Sequence, residues 1–527
     1  MKKIISTTFL TCFISLIIQA QVPQIKWWFD VLDSSFGQSA AGDIDKDGKL
    51  EIVFGCYRND SSIYALNAEN GSLLWKYNAK SGNAEGCNDV AIALFDVDND
   101  DTLEVIVPSS CNPKTFCFRG KSGAIQWQTP TAGSDSPPSI ADIDNDGKAE
   151  ILHGGFDGHV LCINSEDGST QWSKEVFANS WVQTAPTIAD LNNDGMLDFV
   201  VGTWAFSPDT SRIYAYKGSD QSLLWSKPVA DYIYHGTAVA DFDHDGKPEL
   251  VIGDYSGKLY ALNGEDGSTK WTYQASFYIG APATIADLNL DGRCDIIFCD
   301  AYGVGALSDT GSLMWYYTLP DAATAFRGVA IGDINGDNSP DVALGTSKGR
   351  VIVLNGYNGS VIWSLDLAAH IGKAFDINHA PLIADFDQDG KIDVFVVGGH
   401  TDYPNFQTNY GRAYLITAGT GSGPEWLTFQ HDVKRQSNLC DAPLSLPAIS
   451  KADIRLKLYP NPCTSQITLS SAVQGIAEIK NLQGLLLQSI SLNDQNAIAD
   501  VSAFSPGIYF IHFKTSKGNS VSKFLKE

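Results

Sequence analysis

A nine-residue acidic segment occurs eight times in this chain of 527 residues and restricts the folds that the chain can adopt. The first copy is Asp43-Ile44-Asp45-Lys46-Asp47-Gly48-Lys49-Leu50-Glu51, with carboxylates at positions 1, 3, 5 and 9 and a glycine at position 6. The other copies begin at Asp96, Asp142, Asp190, Asp241, Asp287, Asp333 and Asp385, at intervals of 46 to 53 residues. A period of this size indicates a propeller or another repeat array.

Each copy lies within a unit of four short apolar segments. In the fourth unit, residues 185–189 lead into the acidic segment, and residues 197–201, 212–216 and 223–225 follow it. Apolar runs of this length between Gly, Asn, Asp and Ser turns are typical of antiparallel strands. The sequence therefore predicts an all-β chain in which residues 21–440 form an eight-bladed β-propeller, with a seven-bladed ring as the alternative. We expect the N-terminal strand, residues 25–31, to pair in the last blade.

A tryptophan ends the fourth strand of every unit. Residues that a repeat fixes in this way are usually core residues, so we expect each indole to pack between neighbouring blades. These residues are Trp75, Trp127, Trp172, Trp225, Trp271, Trp315, Trp363 and Trp426. The N-terminal strand carries a ninth candidate, Trp27-Trp28, and this extra candidate leaves the blade number open.

The acidic segments have the composition of metal-binding loops. Carboxylates at alternating positions, with a glycine that allows a sharp bend, can surround a hard cation with oxygen ligands. Oxygen-only ligation favours Ca²⁺ over Mg²⁺ or Mn²⁺ and disfavours zinc. The last acid stands at position 9 rather than 12, and strands rather than helices flank the loop, so these are not EF-hands. The alternative is a set of metal-free Asx turns that cap hairpins.

Eight loops with three or four acids each favour the metal hypothesis, because clustered like charges without a cation would repel one another. The predicted ligands to several structural Ca²⁺ ions are Asp43, Asp45, Asp47, Glu51, Asp96, Asp98, Asp100, Glu104, Asp142, Asp144, Asp146, Glu150, Asp190, Asn192, Asp194, Asp198, Asp241, Asp243, Asp245, Glu249, Asp287, Asn289, Asp291, Asp295, Asp333, Asn335, Asp337, Asp341, Asp385, Asp387, Asp389 and Asp393.

Two kinds of loop depart from the common pattern. Asn192, Asn289 and Asn335 replace the position-3 acid, so they keep an oxygen ligand but lose a charge, and we expect these loops to bind a cation more weakly. Asp101 stands where the second loop should have a glycine, which makes the geometry of that loop the hardest to predict.

The charge of the chain argues against nucleic acid as a partner. The formal net charge is −25, and phosphate binding requires basic patches. The four ligand positions of the eight loops contain 29 of the 61 Asp and Glu residues. Much of the acidity therefore belongs to the predicted metal sites rather than to a solvating surface.

The N-terminus and the cysteines indicate an exported protein. Residues 1–20 have the charged start, short apolar run and small-residue end of a secretory signal, and the run is short for a membrane span. We expect no transmembrane span in the mature chain. Two of Cys56, Cys87 and Cys111 could form a disulfide, whereas Cys117 and Cys162 stand at apolar strand positions and are predicted to be buried thiols.

The composition changes after the last repeat. Residues 441–453 contain Pro443 and Pro447 and are predicted to be a linker. Residues 454–527 contain alternating segments at 467–469, 476–479, 485–490, 508–511 and 521–525, a pattern that predicts a small β-sandwich.

The repeat region resembles a known family. With its eight acidic segments, the stretch 43–400 looks like the calcium-binding FG-GAP repeats of integrin-α-type β-propellers. The third and fourth strands with their Gly-Ser-x-x-Trp ends, as in 71–75 and 267–271, also resemble the tryptophan-docking blades of quinoprotein-like propellers. Neither resemblance brings an enzymatic residue with it, and no pattern for a quinone cofactor is present.

The C-terminal segment resembles the sorting domain of the type IX secretion system of Bacteroidetes. The matching stretches are Leu458-Tyr459-Pro460-Asn461-Pro462, Asn481-Leu482-Gln483-Gly484, Pro506-Gly507-Ile508-Tyr509-Phe510 and Lys523-Phe524-Leu525-Lys526. This resemblance implies that outer-membrane secretion machinery is a partner. It also implies passage through the outer membrane, removal of the tail, and release or attachment at the cell surface.

The predicted topology separates two ends of the propeller. All acidic loops join first and second strands and therefore lie at one end, whereas the residues before first strands and after second strands lie at the other. Loops are where function is added to such scaffolds. The ligand-face candidates are Trp181, Tyr234, His235, Tyr278, Arg327 and His379 before first strands, and Trp204 and His400 after second strands.

Two functions from different classes fit this sequence. The first is a secreted or cell-surface binding and adhesion module for a glycan or an extracellular protein. The second is an exported carbohydrate-active enzyme, such as a polysaccharide lyase, with His235, His379, Arg327 or a nearby tyrosine in acid/base roles. Outside the loops the sequence has no nucleophile elbow, paired catalytic carboxylates or zinc motif, so the first function is favoured.

Overall fold

The structure is a computed structural model of the chain. It describes residues 22–82, 86–421, 423–440, 457–459, 461–471, 474–480, 486–492, 496–502, 504, 507–515 and 518–526. The chain divides into two compact units between residues 444 and 445, and each unit is described by itself. The predicted signal, 1–20, and the predicted linker, 441–453, lie outside the described residues.

The first unit begins with strand β1 (Gln24–Val31) and continues with three four-stranded antiparallel sheets. Sheet 1 contains β2 (Ala40–Gly42), β3 (Glu51–Gly55), β4 (Ser62–Asn67) and β5 (Leu73–Asn78). Sheet 2 contains β6 (Ala93–Phe95), β7 (Glu104–Pro108), β8 (Lys114–Arg119) and β9 (Ile125–Pro130). Sheet 3 contains β10 (Ser139–Ala141), β11 (Glu150–Gly154), β12 (His159–Asn164) and β13 (Thr170–Glu175).

The fourth and fifth sheets follow the same order. The short strands β14 (Ser180–Trp181) and β17 (Trp204–Ala205) pair with each other beside sheet 4. Sheet 4 contains β15 (Thr187–Ala189), β16 (Asp198–Gly202), β18 (Arg212–Lys217) and β19 (Leu223–Pro228). Sheet 5 contains β20 (Ala238–Ala240), β21 (Glu249–Gly253), β22 (Lys258–Asn263) and β23 (Thr269–Gln274).

The remaining repeats complete the unit. Sheet 6 contains β24 (Thr284–Ala286), β25 (Asp295–Asp300), β26 (Gly303–Leu307) and β27 (Leu313–Thr318). Sheet 7 contains β28 (Ala330–Gly332), β29 (Asp341–Gly345), β30 (Arg350–Asn355) and β31 (Val361–Asp366). Sheet 8 contains β32 (Leu382–Ala384), β33 (Asp393–His400) and β34 (Tyr410–Thr417). Short helical turns lie at Pro320–Ala322, Leu367–Ile371 (α1) and Phe406–Thr408.

The N-terminal strand supplies the fourth strand of sheet 8. β1 pairs antiparallel with β34 from Gln24 opposite Thr417 to Val31 opposite Gly411. The prediction that the N-terminal strand pairs in the last repeat is confirmed. The two ends of the first unit are therefore held together by a backbone ladder rather than by side chains alone.

A tryptophan in the fourth strand joins each sheet to the next. The Trp75 indole nitrogen of sheet 1 donates to the Gly120 carbonyl of sheet 2 at 2.5 Å, and the Trp315 nitrogen of sheet 6 donates to the Gly356 carbonyl of sheet 7 at 2.7 Å. Equivalent bonds join Trp127 to Ser165, Trp225 to Gly264, Trp271 to Asp309 and Trp363 to Ala418. The predicted packing of these indoles between repeats is thus observed.

Glycine in the third-to-fourth-strand turn makes this contact possible. Gly123 has a φ of +65°, and a Cβ on it would lie 2.6 Å from the Trp75 ring. In sheet 4 the positive φ belongs to Gln221, at 56°, and the facing Trp172 stacks on Phe199 with ring centroids 5.8 Å apart. The glycine of the Gly-Ser-x-x-Trp pattern is therefore required by the close approach of the indole from the preceding sheet.

The interpretation of Trp426 as the tryptophan of the last unit is wrong. Trp426 is buried and exchanges two backbone hydrogen bonds with Ile383 of β32, of 2.7 and 3.0 Å. The place predicted for it is taken by Trp27 of β1, whose indole nitrogen donates to the Ala68 carbonyl of sheet 1 at 2.8 Å. The error arose because β1 precedes the first repeat in sequence but belongs to the last sheet in space.

Residues 423–440, here called the crossing segment, connect the first strands of the sheets. Their carbonyls accept backbone hydrogen bonds from Ala41, Ile140, Ile188, Val239, Ile285 and Ile383, one in each of six sheets, at 2.8 to 3.0 Å. A short segment can reach six sheets only where their first strands surround it. A disulfide between Cys440 and Cys294 fixes the end of the crossing segment to sheet 6.

Arg435 is the central residue of the crossing segment. Its side chain is fully buried, and its guanidinium donates to the carbonyls of Pro138 at 2.9 Å and Phe429 at 2.6 Å and to the Thr428 hydroxyl at 3.0 Å. Burial lowers the pKa of Arg435 to about 10. Its five N–H groups satisfy backbone carbonyls that would otherwise be buried without a partner.

The cysteines agree with the sequence analysis where it made a prediction. Cys87 and Cys111 form a disulfide, which was one of the pairings left open. Cys117 and Cys162 are buried free thiols, as predicted. Cys56, the third candidate for that pairing, is also a buried free thiol.

The second unit contains two antiparallel sheets. Its strands are β35 (Lys457–Tyr459), β36 (Gln466–Ser470), β37 (Gly475–Lys480), β38 (Leu486–Leu492), β39 (Asn496–Asp500), β40 (Gly507–Thr515) and β41 (Gly518–Lys526). The sheet orders are β35-β36-β39 and β38-β37-β40-β41. Ile467, Leu469, Ile479, Ile511 and Phe513 are among the residues of its buried core. The sequence analysis did not predict β35 and β39.

We expect the variant Arg435→Met to destabilise the first unit by about 2–5 kcal/mol, because it leaves buried carbonyls without a donor. Thermal unfolding of the purified protein measures this change. The control Arg350→Met removes two partly exposed ion pairs, with Asp321 and Asp366, and should change the stability by about 1 kcal/mol. Equal effects of the two substitutions would contradict the role assigned to Arg435.

Candidate functional site

The eight acidic loops share most of their hydrogen bonds. The position-1 aspartate accepts from the backbone in all eight, and the position-9 acid accepts from the position-2 N–H in the first seven, whereas Asp393 of the eighth bonds to Lys26. In the first loop, the two Asp43 carboxylate oxygens accept from the backbone N–H groups of Asp47 and Gly48, both at 3.1 Å. Glu51 at position 9 reaches back and accepts from the Ile44 N–H at 2.9 Å. These bonds hold the acids of the loop in fixed positions, and each carboxylate oxygen keeps a lone pair that the backbone does not use.

Positions 4 and 6 provide the bend. Lys46 has a φ of 63° and Gly48 a φ of 87° in the first loop. Asp101, which made the second loop hard to predict, has a φ of 65°, and its N–H donates to Asp96 at 2.9 Å. Asn338 takes the same place in the seventh loop, with a φ of 64°. Both loops therefore keep the common geometry without a glycine, and the sequence analysis overlooked Asn338.

In five loops the carboxylates converge closely enough to hold one ion. Ligand oxygens of Asp43, Asp45 and Glu51 lie within 4.8 Å of one another. The same holds for Asp96/Asp98/Glu104, Asp142/Asp144/Asp146, Asp241/Asp243/Asp245 and Asp385/Asp387/Asp393. In the other three loops, Asn192, Asn289 and Asn335 accept the position-5 N–H as aspartate does elsewhere. An all-oxygen donor set of this kind fits a hard cation.

The position-9 carboxylates show the electrostatic cost of these loops. Glu51 is 1% exposed, and burial, followed by repulsion from Asp45, Asp47 and Asp43, raises its pKa to about 7. Burial likewise raises the pKa to about 7 at Glu104, Glu150, Asp198, Glu249, Asp295, Asp341 and Asp393. A cation bound among these groups would stabilise their charged form. Several acidic clusters could therefore bind metal ions.

A cavity of about 430 Å³ lies among the residues before first strands and after second strands. Six aromatic side chains line it, together with four polar ones. The lining residues are Phe36, Tyr57, Asp89, Tyr234, Phe326, Arg327, Asn378, Thr401, Tyr403 and Phe406. Tyr234 and Arg327 are the two predicted ligand-face residues in this lining.

Arg327 is held against two aromatic rings of the cavity. Its side chain is only 7% exposed, and its guanidinium carbon lies 5.6 Å from the Tyr234 ring centre and 5.9 Å from that of Phe326. Its Nε has no hydrogen-bond partner among the described residues. Arg327 therefore brings a positive charge to the cavity wall.

The two histidines predicted to have acid/base roles lie behind the cavity rather than on its surface. His235 is 2% exposed, with its ring 3.9 Å from the Tyr234 ring and 5.5 Å from the Phe326 ring. His379 is equally buried, and its Nε2 bonds to the Ser39 N–H at 2.8 Å and the Ser39 hydroxyl at 2.6 Å. Burial lowers the pKa of His235, and it lowers the pKa of His379 to about 3. Neither ring is placed to exchange protons with a ligand in the cavity.

The other predicted residues extend the aromatic surface. Trp204 stacks on Tyr232 with ring centres 4.3 Å apart and contacts Tyr234 edge-on at 5.9 Å. Tyr278 stacks on Tyr255 at 5.1 Å, and Tyr255 in turn contacts Trp204 at 5.2 Å. An aromatic cluster thus runs outward from the cavity wall.

Trp181 and His400 lie apart from that cluster. Trp181 packs between Phe156 and Phe206, with ring centres 5.2 and 5.0 Å away. His400 is 38% exposed and lies 3.9 Å from the Asp376 carboxylate.

Two carboxylates beside the cavity were missed by the sequence analysis. Asp89 lines the cavity and accepts from the Ser110 hydroxyl at 2.7 Å, and Asp135 accepts from the Gln183 amide at 3.2 Å. Burial and the neighbouring Asp89 raise the pKa of Asp135. Both stand four residues before a first strand, so the rule that selected Arg327 would have found them if it had been applied to acids.

Comparison with known families supports the fold. Residues 117–275 and 156–437 match the PQQ_2 family model, described as outer membrane protein assembly factor BamB, and cover more than half of the chain. The chain belongs to this family. Residues 43–107 match the FG-GAP-like repeat, and residues 457–527 match the secretion system C-terminal sorting domain. The predicted resemblances to the FG-GAP repeat and to the sorting domain are therefore confirmed, and the sorting domain implies a secreted protein.

Solved structures show the same fold at low sequence identity. The Vibrio cholerae biofilm matrix protein Bap1 matches with a TM-score of 0.57 at 16% identity, over 77% of this chain and 94% of its own. Sqt1 of Saccharomyces cerevisiae matches with a TM-score of 0.53 at 12% identity, over 74% of this chain and 98% of its own. The quinohemoprotein alcohol dehydrogenase of Comamonas testosteroni matches with a TM-score of 0.50 at 12% identity, over 76% of this chain and 77% of its own. No curated protein matches the chain.

None of the helices in the described residues combines the length and the apolar character that a bilayer crossing requires.

We expect metal-depleted protein to lose stability as the pH rises from about 4.5 through about 7. The position-9 acids have raised pKa values in the fold, so the stability that they contribute is present below their unfolded pKa and is lost above the folded one. Added Ca²⁺ should reverse this loss, by roughly 4 kcal/mol per site at a free concentration a thousand times Kd. Thermal unfolding at several pH values, with and without Ca²⁺, measures both effects. Identical curves at pH 8 would contradict metal binding.

Proposed function

We propose that this chain is an exported eight-bladed β-propeller, stabilised by calcium, that binds a glycan through the aromatic cavity. The observation that carries the proposal is the cavity itself, with six aromatic rings, Arg327 and Asp89 around about 430 Å³. Small-ligand sites are concave and mostly apolar, with a few polar groups that fix orientation. A sugar offers apolar ring faces to aromatic side chains and hydroxyls to charged ones.

The eight-bladed ring is supported by three observations of the first unit. Its described residues contain eight four-stranded sheets. The indole of Trp27 in sheet 8 donates to Ala68 in sheet 1, so the chain of tryptophan contacts returns to its start. The crossing segment also bonds to the first strands of six sheets. In the same way, we interpret the two sheets of the second unit as the layers of a small sandwich.

Calcium is the ion that best fits the loops. Each site offers carboxylate or amide oxygens from positions 1, 3, 5 and 9, and flexible oxygen cages with several acids suit Ca²⁺ better than Mg²⁺, which requires a strict octahedron. Position 1 is an aspartate in all eight loops. The ions would lock loops at the end of the sheets away from the cavity, so their role is structural.

The location follows from the sorting domain. Its family model covers residues 457–527. We propose that outer-membrane secretion machinery recognises this segment and that the protein reaches the medium or the outer surface of a Bacteroidetes-type cell. The structural neighbour Bap1 is described as a biofilm matrix protein, and an extracellular glycan-binding role is in keeping with that description.

Binding to a panel of extracellular and cell-wall glycans tests the proposed function. We expect Tyr234→Ala and Arg327→Met to weaken binding of the preferred glycan about tenfold or more, because each removes a wall of the cavity. Isothermal titration calorimetry measures the affinity. The control Tyr357→Ala removes a ring that is 62% exposed and does not line the cavity, so it should have no effect.

Two results would contradict this proposal. One is a panel without any binder, and the other is a glycan whose affinity is the same for wild type, Tyr234→Ala and Arg327→Met. Binding of an extracellular protein that the cavity variants abolish would keep the cavity as the site but assign it a protein ligand.

One observation favours an exported carbohydrate-active enzyme as a second candidate. Asp135 is half-buried, and desolvation and the nearby Asp89 raise its pKa to about 7 although Arg327 acts in the opposite direction, so this carboxylic acid holds a proton in part of the molecules near neutral pH. Such a group could donate a proton to a leaving oxygen. The acid/base role moves from the buried His235 and His379, where the sequence analysis placed it, to this carboxylate.

If the second candidate is correct, a polysaccharide from the panel should be cleaved, and Asp135→Asn should reduce the rate by roughly 10²–10⁴-fold with little change in affinity. Release of reducing ends and absorbance of unsaturated products measure cleavage. Asp209→Asn, at an exposed loop position, is the control and should retain the rate. Binding without any cleavage would leave the binding module as the function.

A further inference from the structure

In four sheets, the residue that precedes the docking tryptophan contacts the acidic loop of its own sheet. Successive side chains of a strand point to opposite faces, so this residue faces away from the neighbour that the indole contacts. In sheet 8 the residue is Lys26, and in sheet 5 it is Lys270. Both lysines reach the loops that were predicted to bind a cation.

Each lysine bridges two predicted ligand positions. The Lys26 ammonium lies 3.0 Å from Asp393 at position 9 and also donates to Asp387 at position 3. The Lys270 ammonium lies 2.7 Å from Glu249 at position 9 and also donates to Asp243 at position 3. The lysine side chains are 17% and 19% exposed, and the position-9 side chains are 1% exposed.

The other sheets lack this arrangement. Gln126 and Gln171 occupy the same place in sheets 2 and 3, and their amides donate to Asp98 at 3.1 Å and Asp144 at 2.8 Å, both at position 3. The remaining four sheets have an apolar residue there, namely Leu74, Leu224, Met314 and Ile362. Within the described residues, a positive charge from this strand position enters only the loops of sheets 5 and 8.

An ammonium and a calcium ion need the same oxygens. A lysine that hydrogen-bonds to the acids at positions 3 and 9 occupies lone pairs that the ion requires, and its charge repels a divalent cation a few ångströms away. The lysine also supplies the opposite charge to a buried carboxylate.

We propose that Lys26 and Lys270 are built-in cations that close the loops of sheets 8 and 5 without a metal ion, so that only the other loops bind Ca²⁺. This inference rests on the proposed calcium binding. It distinguishes six metal-dependent loops from two that hold their acids by an internal ion pair.

Native mass spectrometry of the full purified chain at saturating Ca²⁺ tests the proposal. The wild type should bind six ions, since two of the eight loops are filled by lysine. Lys26→Met and Lys270→Met introduce methionine, which sheet 6 has at this position as Met314. Each single variant should bind seven Ca²⁺ ions, and the double variant should bind eight. The reverse change Leu74→Lys, in sheet 1, should lower it to five.

A control and a second readout keep the outcomes separate. Lys227→Met, two residues after Trp225, removes a lysine that contacts the Gly267 carbonyl rather than a loop, and it should leave six ions. In chelator, Lys270→Met should melt at a lower temperature than Lys227→Met, and Ca²⁺ should remove this difference.

Eight ions in the wild type, or an unchanged number in both lysine variants, would overturn the proposal while leaving calcium binding in place. A wild type that binds no Ca²⁺ at all would instead overturn the calcium assignment itself. If Lys26→Met does not fold because it weakens the last sheet, Lys270→Met and Leu74→Lys give the same test in sheets that do not contain the N-terminal strand.

Discussion

The hydrogen bond from a fourth-strand indole to a carbonyl of the next sheet is the contact on which the first unit depends. Among the described residues it occurs at seven of the eight junctions between sheets, and at the remaining one Trp172 stacks on Phe199. The contact fixes how closely two sheets approach. A buried indole contributes a large apolar surface and one N–H donor that must find an acceptor. The contact therefore determines both the position and the orientation of the ring against the next sheet. The glycine at the acceptor turn follows from this contact, since a Cβ there, as on Gly123, would lie 2.6 Å from the ring.

With the sheets spaced in this way, the two ends of the strands are free to differ. The loops between first and second strands are nearly identical in all repeats. In each of them the first aspartate accepts hydrogen bonds from at least two backbone N–H groups, as Asp43 does. The segments at the other end share no pattern, and they form the aromatic cavity around Arg327. A repeated scaffold therefore places uniform, stabilising sites at one end and a single irregular recognition site at the other.

Local patterns in the sequence predicted what depends on local structure. The acidic loops and the strand order within a repeat were predicted from residues close together in the chain. The role of Trp27 was missed because the sequence has two candidates for the last sheet, and only the long-range ladder with β34 decides between them. His235 is buried behind Tyr234, and Asp135 lies near Asp89, because of how neighbouring sheets pack. The sequence pattern of a single repeat therefore could not predict either feature.

The pairing of β1 with β34 and the position of the crossing segment have a consequence for the order of folding. Gln24 pairs with Thr417, so sheet 8 cannot form until almost the whole first unit is present. Contacts so distant along the chain slow folding, because the entropy of closing a long loop must be overcome before the contact stabilises anything. The last residues of the unit, up to the disulfide at Cys440, also complete its interior. A chain that is still being exported therefore lacks both its final sheet and its centre, and the native state becomes accessible only once residue 440 has arrived with the rest.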